Sequence, residues 1–247
     1  PKSEMQVAIE QLGGSILREA SQPWESLQES ELLGLQDFLD LTALLVEVGK
    51  TGARVPLFAT EILGAPIGRF SEAGPAGEVL TGGLLEADSH DPRAPQTRAE
   101  GGKLYGTKIC VPAVDKAERI VVSAQDGVYA ARLSDCRVEA QTGTDDDPLG
   151  EVHMEGTPAQ RLGGNEVLDW WLPRVDVGVC AVLLGLSLTA LQMTAKYLVQ
   201  RQQFGRPIGS FQSVQHMLAD MILHVDGGEM LTFESLWKMD EGRARTH

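Results

Sequence analysis

The sequence predicts an α+β, multi-domain chain. An N-terminal helical domain is expected over residues 1–75, a middle antiparallel β-barrel or sandwich over 76–164, and a C-terminal helical bundle over 165–247. Three observations carry this. Apolar residues recur three and four apart up to about residue 72. From about residue 76, Gly, Pro and Asp become frequent and apolar residues come in short runs. From Asn165 the helical spacing returns and persists.

Taken in order, EMQVAIEQLGGSIL and WESLQESELLGL read as helices, as does FLDLTALLVEVGKTG with Phe38, Leu41, Leu44, Leu45 and Val48 in phase. ARVPLFATEILGAPIGRF continues the pattern, with Pro56 suited to a helix start. The runs EVLTGGLLEA, KLYGTKICV, ERIVVSAQDGVYAARL and EVHMEG read as strands, and GTDDDP as a loop. Asp126–Gly127 lies between two such runs and predicts a two-residue hairpin turn, because both residue types tolerate positive φ. In VGVCAVLLGLSLTALQMTAKYLVQRQQFG, the series Val179, Leu183, Leu186, Ala190, Met193, Tyr197 alternates steps of four and three, which predicts a long helix with this stripe buried. Gly205 and Pro207 end it, and Ser210 can cap a following helix through Val214, Leu218, Met221 and Val225.

The net charge of −14 argues against a nucleic-acid partner and favours solubility. Lys and Arg are scattered apart from a basic turn at Arg201 and Arg206. No apolar run reads as long enough to span a membrane, and the N-terminus lacks a basic-then-apolar signal. The chain starts at Pro1, from which trimming is expected. Cys110, Cys136 and Cys180 are odd in number and widely spaced, which points to a reducing cytoplasm rather than a disulfide framework. The histidines are dispersed; His216 and His224 stand eight apart, beyond an i, i+4 ligand pair, so no metal site is expected.

The most specific segment is RQQFGRPIGSFQSVQHMLADM, Arg201 to Met221. One reading is an αα-hairpin with Phe204 and Phe211 filling the core beneath the turn. The other rests on polar density. Arg201, Gln202 and Gln203 close one helix, and Gln212 and Gln215 open the next. An arginine beside a helix N-terminus makes a fixed anion site, most naturally for phosphate. Glutamine amides can read a ring or ribose edge, and an aromatic can stack on a flat ring. Together these suit a nucleotide diphosphate, without saying which.

The segment resembles the signature of the acyl-CoA dehydrogenase superfamily, a helix ending in R-x-x-F-G-x-P-I followed by F-Q-x-x-Q-x-x-L-A-D-M. The helix–β–helix order resembles that family's three-domain fold. The resemblance implies FAD as cofactor, with Arg201, Gln203, Phe204, Phe211 and Gln212 against its adenosine diphosphate part, at a site formed across a subunit interface. It implies α,β-dehydrogenation of an acyl-CoA thioester and electron-transfer flavoprotein as acceptor.

Three family features are altered. The T-E-P-x-A-G-S loop reads GGLLEADSHDP, keeping Glu86 alone. The W-I-T strand keeps its lead-in Gly106–Lys108, but Cys110 replaces the aromatic and Pro112 the threonine, removing a stacking surface, a hydroxyl and an N–H. The catalytic glutamate of one branch falls at Val175, beside Asp176, which is expected to serve an early helix turn; in the other branch it lies beyond His247. Glu229 and Glu234 are expected on a solvated helix face. A Q-x-x-G-G element is absent, Leu32–Leu35 runs into QDFLDL where a P-E-x-x-G-G loop is usual, and relatives continue past His247, so an incomplete sequence is expected at 35/36 and after 247. The combination resembles the heteromeric (α2β2) acyl-CoA dehydrogenases of actinobacterial sterol side-chain degradation. It implies a degenerate subunit with no catalytic residue of its own, partnered by a second dehydrogenase chain. A self-sufficient homomer with its base in a missing C-terminal segment, and a structural subunit without flavin, stay open.

Overall fold

The computed structural model describes residues 4–30, 32–33, 37–72, 74–75, 77–89, 91–144 and 147–240. The expected junction at 35/36, the middle of GTDDDP and the segment after 240 lie outside the described residues. The chain divides into two compact units, Pro56–Val175 and Pro1–Val55 with Asp176–His247.

The first unit holds strands β1 (Leu80–Gly83), β2 (Arg98–Glu100), β3 (Lys103–Pro112), β4 (Arg119–Ala124), β5 (Gly127–Arg132), β6 (Arg137–Thr142) and β7 (Pro148–Gly163). They form one sheet in the order β1-β4-β5-β7-β3-β2, with β6 on β7. Every pairing is antiparallel except β1–β4, which is parallel, a departure from the all-antiparallel expectation. Between β1 and β4 the chain makes the whole β2–β3 excursion, so it re-enters beside β1 in the same direction. The sheet curls: Ile109 N–H donates to Leu85 O at 3.0 Å, bringing the chain after β1 back to β3.

Two cores explain the composition of β4 and β5. Ile120, Val122, Tyr129 and Ala131 point into the inner core with Leu104, Val152 and Met154. Val121, Val128 and Ala130 point the other way, onto Ile67, Val167, Leu168 and Trp171. Strands buried on both faces read as continuous apolar runs, and RIVVSA does. Those contacts draw 56–75 and 165–175 into the sheet unit, although both have helical spacing. Trp171 is fully buried and its indole donates to Ile62 O at 3.0 Å. Ile62 sits in a π-type turn, Ala59–Leu63, closed by Gly64 N–H on Ala59 O at 2.8 Å. Pro56 begins this segment as expected, its carbonyl accepting from Thr60 N–H at 2.8 Å.

The β4–β5 hairpin has a two-residue turn, but one position earlier than expected. Ala124 pairs with Gly127, so the turn is Gln125–Asp126 and Gly127 opens β5. Gly127 is required for space: a Cβ there would lie 2.2 Å from Gly163 O, and its φ is +151°.

The second unit contains α1 (Glu4–Glu19), α2 (Pro23–Glu29), α3 (Phe38–Thr51), residues 176–200 of α5 (Asn165–Gln200) and α6 (Gln212–Asp240); the short α4 (Ala65–Phe70) belongs to the sheet unit. Asp37 caps α3 by accepting from Leu39 N–H at 2.8 Å, and Gly52 ends it in the left-handed region with φ +65°. Helices α3 and α5 meet through glycine. A Cβ on Gly49 would lie 2.1 Å from Val182 O, and one on Gly185 2.1 Å from Val46 O. Thr189 Oγ1 adds a hydrogen bond to Lys50 O at 2.8 Å.

This packing corrects the expected buried stripe on α5. The buried residues here are Val177, Ala181 and Leu184. The predicted series faces out: Leu183 is 55% exposed, Met193 66% and Tyr197 56%. α5 is apolar on both faces and, against expectation, long and apolar enough to cross a membrane, with mean hydropathy 1.8. A helix central to a bundle has the same composition.

Candidate functional site

The signature segment folds into one local structure. α5 ends with Arg201 N–H donating to Tyr197 O at 2.9 Å. β8 (Gln202–Gln203) and β9 (Arg206–Pro207) then form a small hairpin, with Phe204–Gly205 as its two-residue turn at φ +53° and +77°. A turn with positive φ at both central positions matches the twist of its strands, but costs strain at a phenylalanine. Its effect is to lift the Phe204 ring out: the residue is 91% exposed, which excludes the buried αα-hairpin core for it in this chain. Phe211 is half-buried, its ring centroid 6.0 Å from that of Phe204 in an edge-to-face arrangement.

Arg206 lies over the Phe211 ring, 4.2 Å from the centroid. Neither Arg201 nor Arg206 forms an ion pair with a carboxylate among the described residues, in a chain of net charge −14. Arg201, Gln203 and Gln212 are exposed, Gln212 as the first residue of α6. Gln215 is tied back, donating to Gly209 O at 3.0 Å. Ser210 does not cap α6; its hydroxyl donates to Pro207 O at 2.7 Å, and Phe211 O receives the first helical N–H bonds. Thus Arg201, Gln203, Phe204, Phe211 and Gln212 share one loop–helix junction. Arg206, which sequence reasoning noted only as basic, joins them by its cation–π contact. A cation beside a helix N-terminus, with amides and an outward ring, fits the charged end of a nucleotide diphosphate.

In the sheet unit, Glu86 and Lys108 form a buried pair at 2.6 Å, with Lys108 fully enclosed. Glu86 also accepts from Thr97 Oγ1 at 2.6 Å and Gln96 N–H at 2.5 Å, and Lys108 reaches Ser123 Oγ at 3.2 Å. Burial pushes the Glu86 carboxyl up, but the bonds from Lys108, Thr97 and Gln96 outweigh it and hold it below the usual carboxylate range. Burial pulls the Lys108 ammonium below the usual lysine range, against the pull of Glu86. Glu86 is therefore a satisfied structural carboxylate. The signal for it was a lysine in register with Leu104 and Gly106 on an inward-alternating strand.

Cys110 is exposed at φ +53° on a bulge of β3, between the pairs Lys108–Val152 and Val111–Gly150. Pro112 O accepts from Thr81 Oγ1 at 2.6 Å. Neither offers an aromatic face, and Pro112 offers neither a hydroxyl nor an N–H. Val175 packs at the edge of the core around Trp171. Asp176 is not at a helix start: α5 begins at Asn165, so Asp176 lies three turns in, and partial burial raises its carboxyl. Glu234 pairs with Lys238 at 2.6 Å on an exposed face, whereas Glu229 is half-buried and lines a small cavity with Lys50 and Glu10.

Comparisons with known proteins bear on the family and the fold. Residues 164–247 match the family described as acyl-CoA dehydrogenase, C-terminal domain. The chain is 30% identical over 221 residues to acyl-CoA dehydrogenase FadE28 of Mycobacterium tuberculosis, covering 82% of this chain and 64% of that protein. It is 30% identical over 233 residues to FadE27 of the same organism, covering 85% and 62%. The chain thus spans a little under two thirds of these relatives' lengths. Among solved structures, a variant of the Tcur3481-Tcur3483 steroid ACAD matches at TM-score 0.86 and 27% identity, over 97% of this chain and 79% of that one. The ChsE4-ChsE5 complex from Mycobacterium tuberculosis shares the fold, at TM-score 0.85 and 24% identity over 98% and 79%. Motif, fold and relatives place this chain in the acyl-CoA dehydrogenase superfamily.

Proposed function

We propose that the chain is one subunit of a cytoplasmic, FAD-dependent acyl-CoA dehydrogenase. It would lend its signature residues to a flavin whose ring and catalytic base belong to a second, sibling subunit. The observation that carries this is the unpaired Arg201–Arg206 cluster at the α5–α6 junction. When bound, FAD supplies the acceptor for the hydride leaving the acyl β-carbon. Arg201 would hold a phosphate oxygen, Gln203 and Gln212 the polar edges, and Phe204 the outer flank, while Arg206 fixes Phe211. Val175 cannot take a proton, and Cys110 and Pro112 offer no seat for the ring, so this chain would contribute no catalytic residue. Assembly with a partner is supported by the exposed apolar residues of α5 and α6. The name of one similar structure, the two-component Tcur3481-Tcur3483 steroid ACAD, favours a steroid CoA thioester and a heteromer, and the family resemblance favours electron-transfer flavoprotein as acceptor.

The rival reading is a self-sufficient homomer. It is favoured by one fact: more than a third of each relative's length lies outside the match, room enough for a glutamate that the matched part lacks. Flavin absorbance, measured on the chain alone and after co-expression with a sibling dehydrogenase chain, separates the readings. Flavin only in the pair supports the proposal. A yellow, active homomer supports the rival, and a colourless active pair would mean a subunit that serves structure alone.

A further inference from the structure

We infer that Glu139, Glu151 and His153 form a site for a zinc-class divalent cation that ties β6 to β7. Glu139 on β6 stands directly opposite Glu151 on β7, and His153 lies two residues on, on the same face. Their donor atoms all fall within 4.8 Å of one another. His153 Nε2 is 3.5 Å from Glu151 Oε1 and 3.6 Å from Glu139 Oε1. Zinc bonds to imidazole and carboxylate are about 2.0–2.2 Å, so ligands on a tetrahedral ion sit roughly 3.3–3.6 Å apart. These separations suit a shared metal.

The ring nitrogen supplies an independent observation. Nε2 is shielded from solvent and makes no hydrogen bond. Were it a protonated donor, one carboxylate would close to about 2.7–2.9 Å as a charge-assisted bond. Instead it stands nearly equidistant from two carboxylates. Nδ1 lies 3.1 Å from Thr107 Oγ1 on β3. With Nδ1–H donating to that hydroxyl, the Nε2 lone pair faces the carboxylates, an arrangement that a bound cation stabilises. Arg137 stands opposite His153 across the β6–β7 ladder, bonds Glu139 Oε1, the oxygen that also faces Nε2, and lies 3.9 Å from Glu155, so it is the cation a metal would displace. One imidazole and two carboxylates suit zinc or manganese rather than magnesium or calcium, and leave a fourth position for water. Among the described residues β6 pairs with β7 alone and is largely exposed, so a clamp there would add a side-chain tie to an edge strand.

The test uses the full chain, assembled with its partner, stripped by chelator and titrated with zinc chloride by calorimetry alongside thermal unfolding. One equivalent per chain and a raised Tm are expected, without competition from magnesium or calcium. Glu151→Gln should weaken binding about 10-fold or more, and His153→Gln should abolish this equivalent. Arg137→Ala removes the competing cation and should tighten it. If His153→Gln fails to assemble, the Arg137→Ala result decides, since a damaged fold does not gain affinity. No saturable zinc binding overturns the inference, as does binding undiminished in His153→Gln or not tightened in Arg137→Ala.

Discussion

Arg201 and the Glu86–Lys108 pair show how differently two charged groups can serve one chain. Arg201 has no carboxylate partner among the described residues, so its charge is available to a ligand. Arg201→Ala should leave the fold intact and weaken FAD retention in the assembled enzyme about 10- to 150-fold, the worth of a charge-assisted contact of roughly 1.5–3 kcal/mol. Flavin content after dialysis measures it, and an unchanged content removes Arg201 from the site. Lys108 is fully enclosed, and its charge is available to Glu86 alone among carboxylates in contact. Glu86→Gln leaves that ammonium buried without its counter-charge and should cost about 3–5 kcal/mol. The double change Glu86→Gln with Lys108→Met should recover much of it in chemical denaturation. The pH dependence follows from the lowered Glu86 carboxyl: its contribution is complete above the ordinary carboxylate value and is lost as pH falls through the lower folded value. Stability in the double variant should therefore fall less steeply on acidification. The arginine and the glutamines were legible in sequence as a cluster. The ion pair was not, because Glu86 and Lys108 are twenty-two residues apart and meet only when β3 returns beside the chain after β1.

Among the elements, β-strand composition was the most legible and helix burial the least. RIVVSA and VYAA were readable as strands because Ile120–Val122 and Val128–Ala131 are apolar at consecutive steps, and the two cores on either side account for it. The hairpin turn shifted by one residue because Gly127 answers to Gly163 across the sheet rather than to the turn. α5 was readable as one long helix, but a helix apolar on both faces has two candidate stripes and periodicity cannot choose between them. The glycine crossing chose. Gly185 lets α3 approach so closely that Val177, Ala181 and Leu184 are buried while Leu183 and Leu186 are left out. Gly185→Leu should therefore force the helices apart and cost at least about 1–3 kcal/mol, whereas Leu186→Ala, on the exposed side, should be nearly neutral in the isolated chain. Thermal unfolding of the two variants compares them directly, and equal losses would refute this assignment of faces.

For the whole molecule, the exposed apolar residues of α5 and α6 predict the behaviour of the chain alone. Leu223 is 70% exposed and Met230 73%, beside those of α5. Surfaces of this kind mark an interface or drive association. The chain expressed alone should be flavin-poor and self-associated, and co-expression with a sibling dehydrogenase chain should restore solubility and flavin together. Size-exclusion chromatography with absorbance detection checks both. In the reconstituted enzyme, Asp176→Asn, Glu229→Gln and Glu234→Gln should each lower turnover less than 10-fold, below about 1.4 kcal/mol of barrier. Loss of a true base costs about 100-fold or more. The same limit holds for Glu86→Gln, read per folded enzyme. A collapse of turnover in one of these, with flavin and assembly intact, would return the base to this chain.

The sequence by itself determined the family-bearing segment, the helix–strand–helix order and the basic turn, because each is written within a few turns of contiguous chain. It also determined that Val175, Cys110 and Pro112 carry no carboxylate, aromatic ring or hydroxyl, since a group missing from the sequence is missing in any conformation. Only the tertiary structure decided that Glu86 is buried with Lys108, that Arg206 stacks on Phe211, that His153 meets two glutamates, and that the regular stripe of α5 faces outward. Apart from the Arg206–Phe211 contact, which forms within the local turn, each of those outcomes depends on which strand or helix comes to lie alongside. For α5 that is settled by close backbone approach at Gly49 and Gly185, not by the periodicity of the helix itself.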